Sequence, residues 1–287
     1  MTNDVVTYTS NMGFVVNLNQ PTVTNGLICD VIDLRPFEFS IDKGATVAGD
    51  KDFTLTVIAR SKLWANTAIN RIMADAHDNK YGVLKVNNWY LRCRCLGVDS
   101  IDTESYTGDG LFKFVLKFQA PNMLWANKTY YKYNGSTNKF YARNSAGTGW
   151  STSGTSIITI SENDGGQYAV SMTCKSPFDT GDIGTINGNF SFDAVDIDLA
   201  GNEFASEQYK INFTEALSID DDFLFKSIKY ISGALSGYSA IDSVPDDSDW
   251  FAVHPYAAQF KVRNLQGTVS GNLFFTIHRL RGMPEWD

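Results

Sequence analysis

The sequence has no apolar run long enough to cross a membrane, and its first residues, MTNDVVTYTS, lack the basic start and apolar stretch of a secretory signal. Basic residues are also in the minority, because 24 Lys and Arg stand against 32 Asp and Glu and the formal net charge is −8. A protein that binds nucleic acid through its phosphates, or that lies on an anionic membrane, needs a positive surface. We therefore expect no membrane association and no specific binding of nucleic acid.

Cysteine and histidine are scarce, with four and three residues in the 287-residue chain. Cys93 and Cys95 lie two apart in a predicted strand, a poor geometry for a disulfide between them, and the histidines are far away in the sequence. A metal site would need further ligands at suitable spacing. We therefore predict no metal site and no cofactor, and interpret the cysteines as buried thiols in a reducing cytosol and His278 as a structural residue.

Catalytic motifs are absent from the sequence as well. It contains neither of the phosphate-binding loops GxGxxG and GxxxxGK[ST], and neither HExxH nor GxSxG. The acidic segment DAVDIDLAGNE alternates with apolar residues, as a strand does, and does not follow the ligand pattern of a calcium loop. The 32 acidic residues leave a glycan hydrolase as an alternative, but no carboxyl pair stands out. We predict no catalytic residues and a protein that is not an enzyme.

Aromatic residues are abundant, at 13% of the chain, and alternating patterns predict a mainly β protein. The clearest pattern is GLFKFVLKFQAPNMLW, residues 110–125, in which Phe114, Leu116 and Phe118 share one side of a strand. The opposite side mixes apolar and charged residues, so it is suited neither to a core nor to water alone, and we expect sister copies of the chain to cover it. The candidate subunit interface is Leu111, Lys113, Val115, Lys117 and Gln119.

One amphipathic helix is predicted within SKLWANTAINRIMADAHDNKYG, residues 61–82, where apolar residues recur at spacings of three and four. The strands VIDLRPFEFSI and DFTLTVIAR precede it, and the hairpin YGVLKVNNWYLRCRCLGV follows. After Trp125 the composition shifts to Asn, Gly, Ser and Thr, and short strands continue to the end. We place a boundary near residue 128 and predict domains of residues 1–128 and 129–287.

Aromatic residues surround the Asn-Gly turn at 134–135, which is a strong hairpin signal. Aromatic side chains on such a hairpin pack against one another or stack on sugar rings, and both interpretations stay open. The second predicts a carbohydrate-binding β-sandwich as an alternative function. Its candidate glycan platform is Tyr131, Tyr133, Tyr141 and Trp150.

The order of the N-terminal elements resembles the distal tail protein family of long-tailed, non-contractile bacteriophages. The similarity consists of an extended pair with Arg60 before the helix, the hairpin after it, and a strand that closes the first domain between Val115 and Trp125. The closing GTVSGNLFFTIHRLRGMPEWD is also similar to the last hairpin of phage tail proteins.

This resemblance implies an N-terminal β-sandwich or split barrel with one α-helix, related to tail-tube subunits, and a C-terminal β-sandwich that is often galectin-like. It implies a hexameric ring that joins the tail tube to the tip hub and carries receptor-binding components. The implied partners are sister copies and the tail tube, tape measure, tip hub and receptor-binding proteins, while DNA passes through the lumen. The implied location is the virion tail tip, after assembly in the host cytoplasm. The alternatives are the carbohydrate-binding β-sandwich, as a phage adhesin or a lectin-like protein, and another virion part such as a tail tube subunit.

Overall fold

The structure, a computed structural model, describes residues 4–20, 26–33, 40–42, 45–47, 51–59, 62–102, 112–121, 124–144, 147–161, 167–179, 181–215, 217–219, 228–230, 239 and 257–282. Arg60, Leu111, most of RPFEFSI and residues 283–287 lie outside these ranges. The described residues form antiparallel strands and one helix, which confirms the predicted mainly β class. The chain divides into two compact units, Met1–Asn127 with Arg281–Asp287 and Lys128–Leu280.

The first unit holds nine strands and the helix in its described part. They are β1 (Val6–Thr9), β2 (Val15–Asn17), β3 (Leu27–Asp33), β4 (Ser40–Asp42), β5 (Ala45–Val47), β6 (Lys51–Ala59), α1 (Lys62–His77), β7 (Gly82–Val86), β8 (Trp89–Asp102) and β9 (Phe112–Ala120). The predicted helix, the β7–β8 hairpin and the alternating strand β9 are confirmed.

The strand β8 belongs to two sheets. Its first half pairs with β7 in the order β2-β1-β7-β8, and its second half pairs with β9 in the order β8-β9-β6-β3. The register shifts between Cys95 and Gly97 and again between Val98 and Ser100, which marks irregularities where the strand changes sheet. Two sheets joined through one long strand give the sandwich character of this unit.

The core of the first unit contains side chains from both sheets. Phe118 of β9 stacks on Phe53 of β6 with ring centroids 5.3 Å apart, and the Tyr8 ring of β1 lies 5.8 Å away. All four cysteines of the chain are buried thiols, as predicted. Burial raises the pKa of the Cys93 thiol, and raises that of Cys95 to about 11.

The helix α1 buries Ala65, Ala68 and Ile72, whose spacing of three and four residues places them on one face. Near its end Asp75 is buried, and its carboxylate accepts hydrogen bonds from the Tyr8 hydroxyl at 2.6 Å and the Asn11 backbone N–H at 2.9 Å. These bonds fix the turn between β1 and β2 to the end of the helix.

The second unit continues from β10 (Trp125–Asn134), which begins at the end of the first unit. Its other described strands are β11 (Lys139–Ala142), β12 (Ile158–Ser161), β13 (Gln167–Thr173), β14 (Thr185–Ile197), β15 (Glu203–Glu215), β16 (Leu217–Ile219), β17 (Ile228–Tyr230), β18 (Gln259–Ser270) and β19 (Asn272–Arg281). One sheet has the order β12-β18-β14-β15, and in the other β13, β19, β10 and β11 are successive neighbours.

These two sheets share an aromatic core. The Phe192 ring of β14 meets the Phe275 ring of β19 edge to face at 5.3 Å, and Tyr168 of β13 stacks on Phe260 of β18 at 5.8 Å. Each contact joins one sheet to the other, as in a β-sandwich. His278 of β19 is buried in this unit, and its Nε2 lies 2.9 Å from the Ser171 hydroxyl.

Candidate functional site

The described ranges contain neither a helix that is long and apolar enough to span a bilayer nor a group of three His, Cys, Asp or Glu side chains that could hold a metal ion. Three surface regions carry side chains whose exposure or arrangement indicates binding. Two of them were predicted from the sequence, and one was not.

The first region is the outer face of β9, formed by Lys113, Val115, Lys117 and Gln119. These four side chains are half-buried and alternate with the buried residues of the core face. Leu111, the fifth predicted interface residue, lies outside the described residues. Because β9 pairs with β6 on one side and β8 on the other, this region presents a sheet face and not an open strand edge.

The polar groups on the outer face of β9 have partners within their own sheet. The Lys117 ammonium lies 2.8 Å from an oxygen of Asp52, and Arg94 donates to the Gln119 side-chain oxygen at 2.8 and 3.2 Å. The guanidinium of Arg94 also lies 4.8 Å from the ring centroid of Tyr81. An ion pair this exposed contributes about 0–1 kcal/mol to stability. The face is therefore accessible, and Lys117 and Gln119 have polar partners without a neighbouring copy.

The second region is an apolar surface beside the start of α1, which we call the helix-start patch: Val15, Leu63 and Trp64. Their exposed fractions are 59%, 75% and 49%. Val15 and Trp64 line a cavity of about 260 Å³ whose floor includes Leu27 and Ala68. Leu63 precedes Trp64 on the helix, and Met12 and Phe14, which lie between β1 and β2, are exposed apolar residues as well. Exposed apolar groups at the rim of a cavity, as Val15 and Trp64 are, are typical of a protein contact.

The sequence analysis missed the helix-start patch, although a signal was present. Leu63 falls outside the spacing of three and four that Ala65, Ala68 and Ile72 follow, whereas Trp64, four residues before Ala68, lies at the edge of the buried face and is 49% exposed. A large apolar residue off the buried stripe of a helix, next to a tryptophan at the edge of that stripe, predicts an exposed contact surface.

The third region is the hairpin of β10 and β11, where the predicted aromatic residues divide between two faces. Tyr131 lies opposite Ala142 and Tyr133 opposite Phe140, so both tyrosines are on one face. The Tyr133 ring packs 5.0 Å from Phe140, and its hydroxyl donates to the Asn138 side-chain oxygen at 2.9 Å. The structure does not bring these tyrosines together with the other two platform residues.

Tyr141 and Trp150 lie on the opposite face, together with two cations. We call this group the cationic aromatic cluster: Lys132, Tyr141, Arg143, Trp150 and Phe178. Lys132 lies opposite Tyr141, and Arg143 lies opposite Trp150. The Lys132 ammonium is 5.9 Å from the Tyr141 ring centroid and 5.7 Å from that of Trp150. The Arg143 guanidinium is 5.1 Å from the Trp150 centroid and 4.0 Å from that of Phe178.

A short turn holds the cationic aromatic cluster in place. The Asn144 backbone N–H donates to the Gly149 carbonyl at 2.9 Å, and its side-chain oxygen accepts from the Thr148 N–H at 3.0 Å, so the chain returns to set Trp150 beside Arg143. Gly154 lies against the Tyr141 ring, since a Cβ there would come within 2.8 Å of it. The sequence analysis missed both cations, although Lys132 and Arg143 each stand two residues from a tyrosine and so share its face.

No protein-family model matches the sequence, and no curated protein matches it. Solved structures do. A chain of the phage P2 baseplate, in its activated conformation with Ca, is 14% identical, with 99% of this chain and 100% of that chain covered and a TM-score of 0.50. A chain of the same baseplate with Sr is 14% identical, with 98% of this chain and 99% of that chain covered and a TM-score of 0.48. The SPP1 Dit protein, described as a paradigm of hub adsorption apparatus in Gram-positive infecting phages, is 10% identical, with 95% of this chain and 98% of that chain covered and a TM-score of 0.42.

The likeness to the first baseplate chain extends over the whole of both chains and shows a common fold. The mainly β fold with sandwich character that the resemblance implies is thereby supported.

Proposed function

We propose that this chain is a structural, non-catalytic component of a phage tail tip, equivalent to the distal tail protein. The observation that carries the proposal is the end-to-end fold likeness to a chain of the phage P2 baseplate. In this role the chain assembles in the host cytoplasm and then resides in the virion. Its partners are the tail tube, tape measure, tip hub and receptor-binding proteins.

We further propose that the first unit forms a hexameric ring around a lumen through which DNA passes. A ring needs a contact in which one surface of a copy fits a different surface of the next copy. The helix-start patch suits such a contact, since it combines a cavity with an exposed apolar rim that is unfavourable in water. The outer face of β9 remains the second candidate, with its polar groups already partnered.

The test is the mass of the purified chain by light scattering, followed by negative-stain images. We expect particles of six times the chain mass with sixfold symmetry. Leu63→Glu places a charge in the patch and should reduce the assembly to monomers, because an unpaired charge in an apolar contact is strongly unfavourable.

Leu199→Glu is the matched control for that variant. Leu199 is 73% exposed in the second unit, close to the 75% of Leu63, so both variants change surface hydrophobicity and charge equally. It should leave the ring intact. A wild-type chain that stays monomeric at all concentrations would contradict the ring. A ring that still forms with Leu63→Glu would show that the contact between copies does not include the helix-start patch.

A further inference from the structure

The cationic aromatic cluster of the second unit contains two cations without a carboxylate partner among the described residues. Lys132 contacts the Tyr141 and Trp150 rings, and the Arg143 guanidinium donates to the Gly147 carbonyl and lies on two rings. The first two acidic residues after Phe178 in the sequence bond to groups outside the cluster. Asp179 accepts from the Gly181 N–H, and Asp182 accepts from the Asn272 side chain. In a chain of net charge −8, this arrangement leaves positive charge available to a ligand.

The two rings of the cluster are partly open to solvent. Tyr141 and Trp150 are half-buried, and the Lys132 ammonium is within 6 Å of both ring centroids. The apolar C–H face of a sugar ring stacks on such aromatic faces. A carboxylate or phosphate on that sugar would then meet the ammonium of Lys132 or the guanidinium of Arg143 in a charge-assisted hydrogen bond.

We propose that the cationic aromatic cluster binds an acidic saccharide, with Trp150 and Tyr141 as the stacking surface and Lys132 and Arg143 as the anion-binding groups. The proposal concerns the second unit alone, and it holds whether or not the first unit forms a ring. It also separates the roles of the four predicted platform residues, because Tyr131 and Tyr133 face the other way and take no part in binding.

A single-stranded nucleic acid offers the same two features, stacking bases and phosphates. The acidic saccharide is favoured because binding along a nucleic acid backbone needs an extended positive track, whereas this chain is acidic and the cluster supplies two cations. A compact anionic sugar needs no more than that.

The test is a titration of the full chain with an oligogalacturonate, monitored by ligand-observed NMR. A maltooligosaccharide of equal length and an oligothymidylate are titrated in the same way for comparison. We expect saturable binding of the oligogalacturonate at millimolar concentration and at least roughly tenfold weaker binding of the neutral sugar, a factor that one lost charged contact readily accounts for. Lys132→Gln and Trp150→Leu should each weaken the binding of the oligogalacturonate by roughly tenfold or more.

Two matched variants serve as controls. Lys139→Gln removes an exposed lysine from the same hairpin, and Tyr131→Leu removes an aromatic ring from the opposite face, so neither should alter binding. Trp150 packs 5.8 Å from the Phe274 ring, and if Trp150→Leu fails to fold, Lys132→Gln carries the test alone. Absence of oligogalacturonate binding, equal binding of the neutral sugar, preference for oligothymidylate, or equal effects of Lys132→Gln and Lys139→Gln would each overturn the proposal.

Discussion

His278 shows how a single buried group links the fold of the second unit to pH. Its imidazole is buried in β19 next to the Ser171 hydroxyl. Burial, with a smaller contribution from the positive charge of Lys128, holds the pKa of His278 well below the usual 6.5. The side chain is therefore neutral at neutral pH, as the sequence interpretation of a structural histidine requires.

This lowered pKa predicts the sign of a pH effect. In the unfolded chain the histidine takes up a proton below about pH 6.5, whereas in the folded chain it does so only at lower pH, so protonation favours unfolding in that window. We expect the free energy of unfolding to fall by up to about 1.4 kcal/mol per pH unit below about pH 6.5 from this group. Urea titrations of the wild type and His278→Gln at a series of pH values measure the difference.

The variant His278→Gln retains an amide that can bond to the Ser171 hydroxyl but cannot titrate near pH 6. The difference in unfolding free energy between the two proteins should be constant above about pH 7 and change steadily below about pH 6.5. A difference that stays flat down to pH 5 would show that the histidine is not buried in its neutral form.

At the scale of elements, β9 allows its two faces to be tested separately. Its core face carries stacked rings, and its outer face carries two lysines. The double variant Lys113→Glu with Lys117→Glu should weaken assembly if this face contacts a neighbour, because the reversed charges add to the repulsion between acidic copies. Sedimentation velocity at several concentrations measures the change.

The control for this variant is Lys139→Glu with Lys175→Glu. Both of these lysines are exposed and lie in the second unit, and the net charge changes by the same amount. Weaker assembly in both double variants would indicate a general charge effect and not a contact at β9. Loss of the Lys117–Asp52 pair itself should alter the free energy of unfolding by only about 1 kcal/mol or less.

Period-two alternation was enough to predict β9 and to identify which residues share each of its faces. It could not predict that β9 lies between β6 and β8, because strand pairing depends on residues distant in the sequence. The same limit explains the divided aromatic platform. Alternation does separate Tyr131 from Lys132, but the position of Tyr141 and Trp150 relative to them depends on the register of the hairpin and on the turn that brings Trp150 back.

At the scale of the whole molecule, the acidic balance and the apolar helix-start patch predict how assembly responds to salt. Each copy carries a net charge of −8, so like charges oppose association. Raising NaCl from about 0.05 M to about 0.5 M shortens the Debye length from about 14 Å to about 4 Å, which screens this repulsion and leaves apolar burial little changed. We expect the proposed ring to form at lower protein concentration in high salt.

Light scattering across a dilution series at the two salt concentrations checks this prediction. The variant Leu63→Glu is the control and should remain monomeric in both buffers. Assembly that weakens as salt rises would instead indicate a contact built on ion pairs, as the outer face of β9 could supply.

The four buried thiols of the chain have a consequence for its resistance to oxidation. Oxidants attack the thiolate form of cysteine, and burial keeps Cys93 and Cys95 protonated by raising their pKa values. Cys29 and Cys174 are shielded from water in the same way. In the proposed virion, these four cysteines would therefore resist peroxide for as long as the fold keeps them buried.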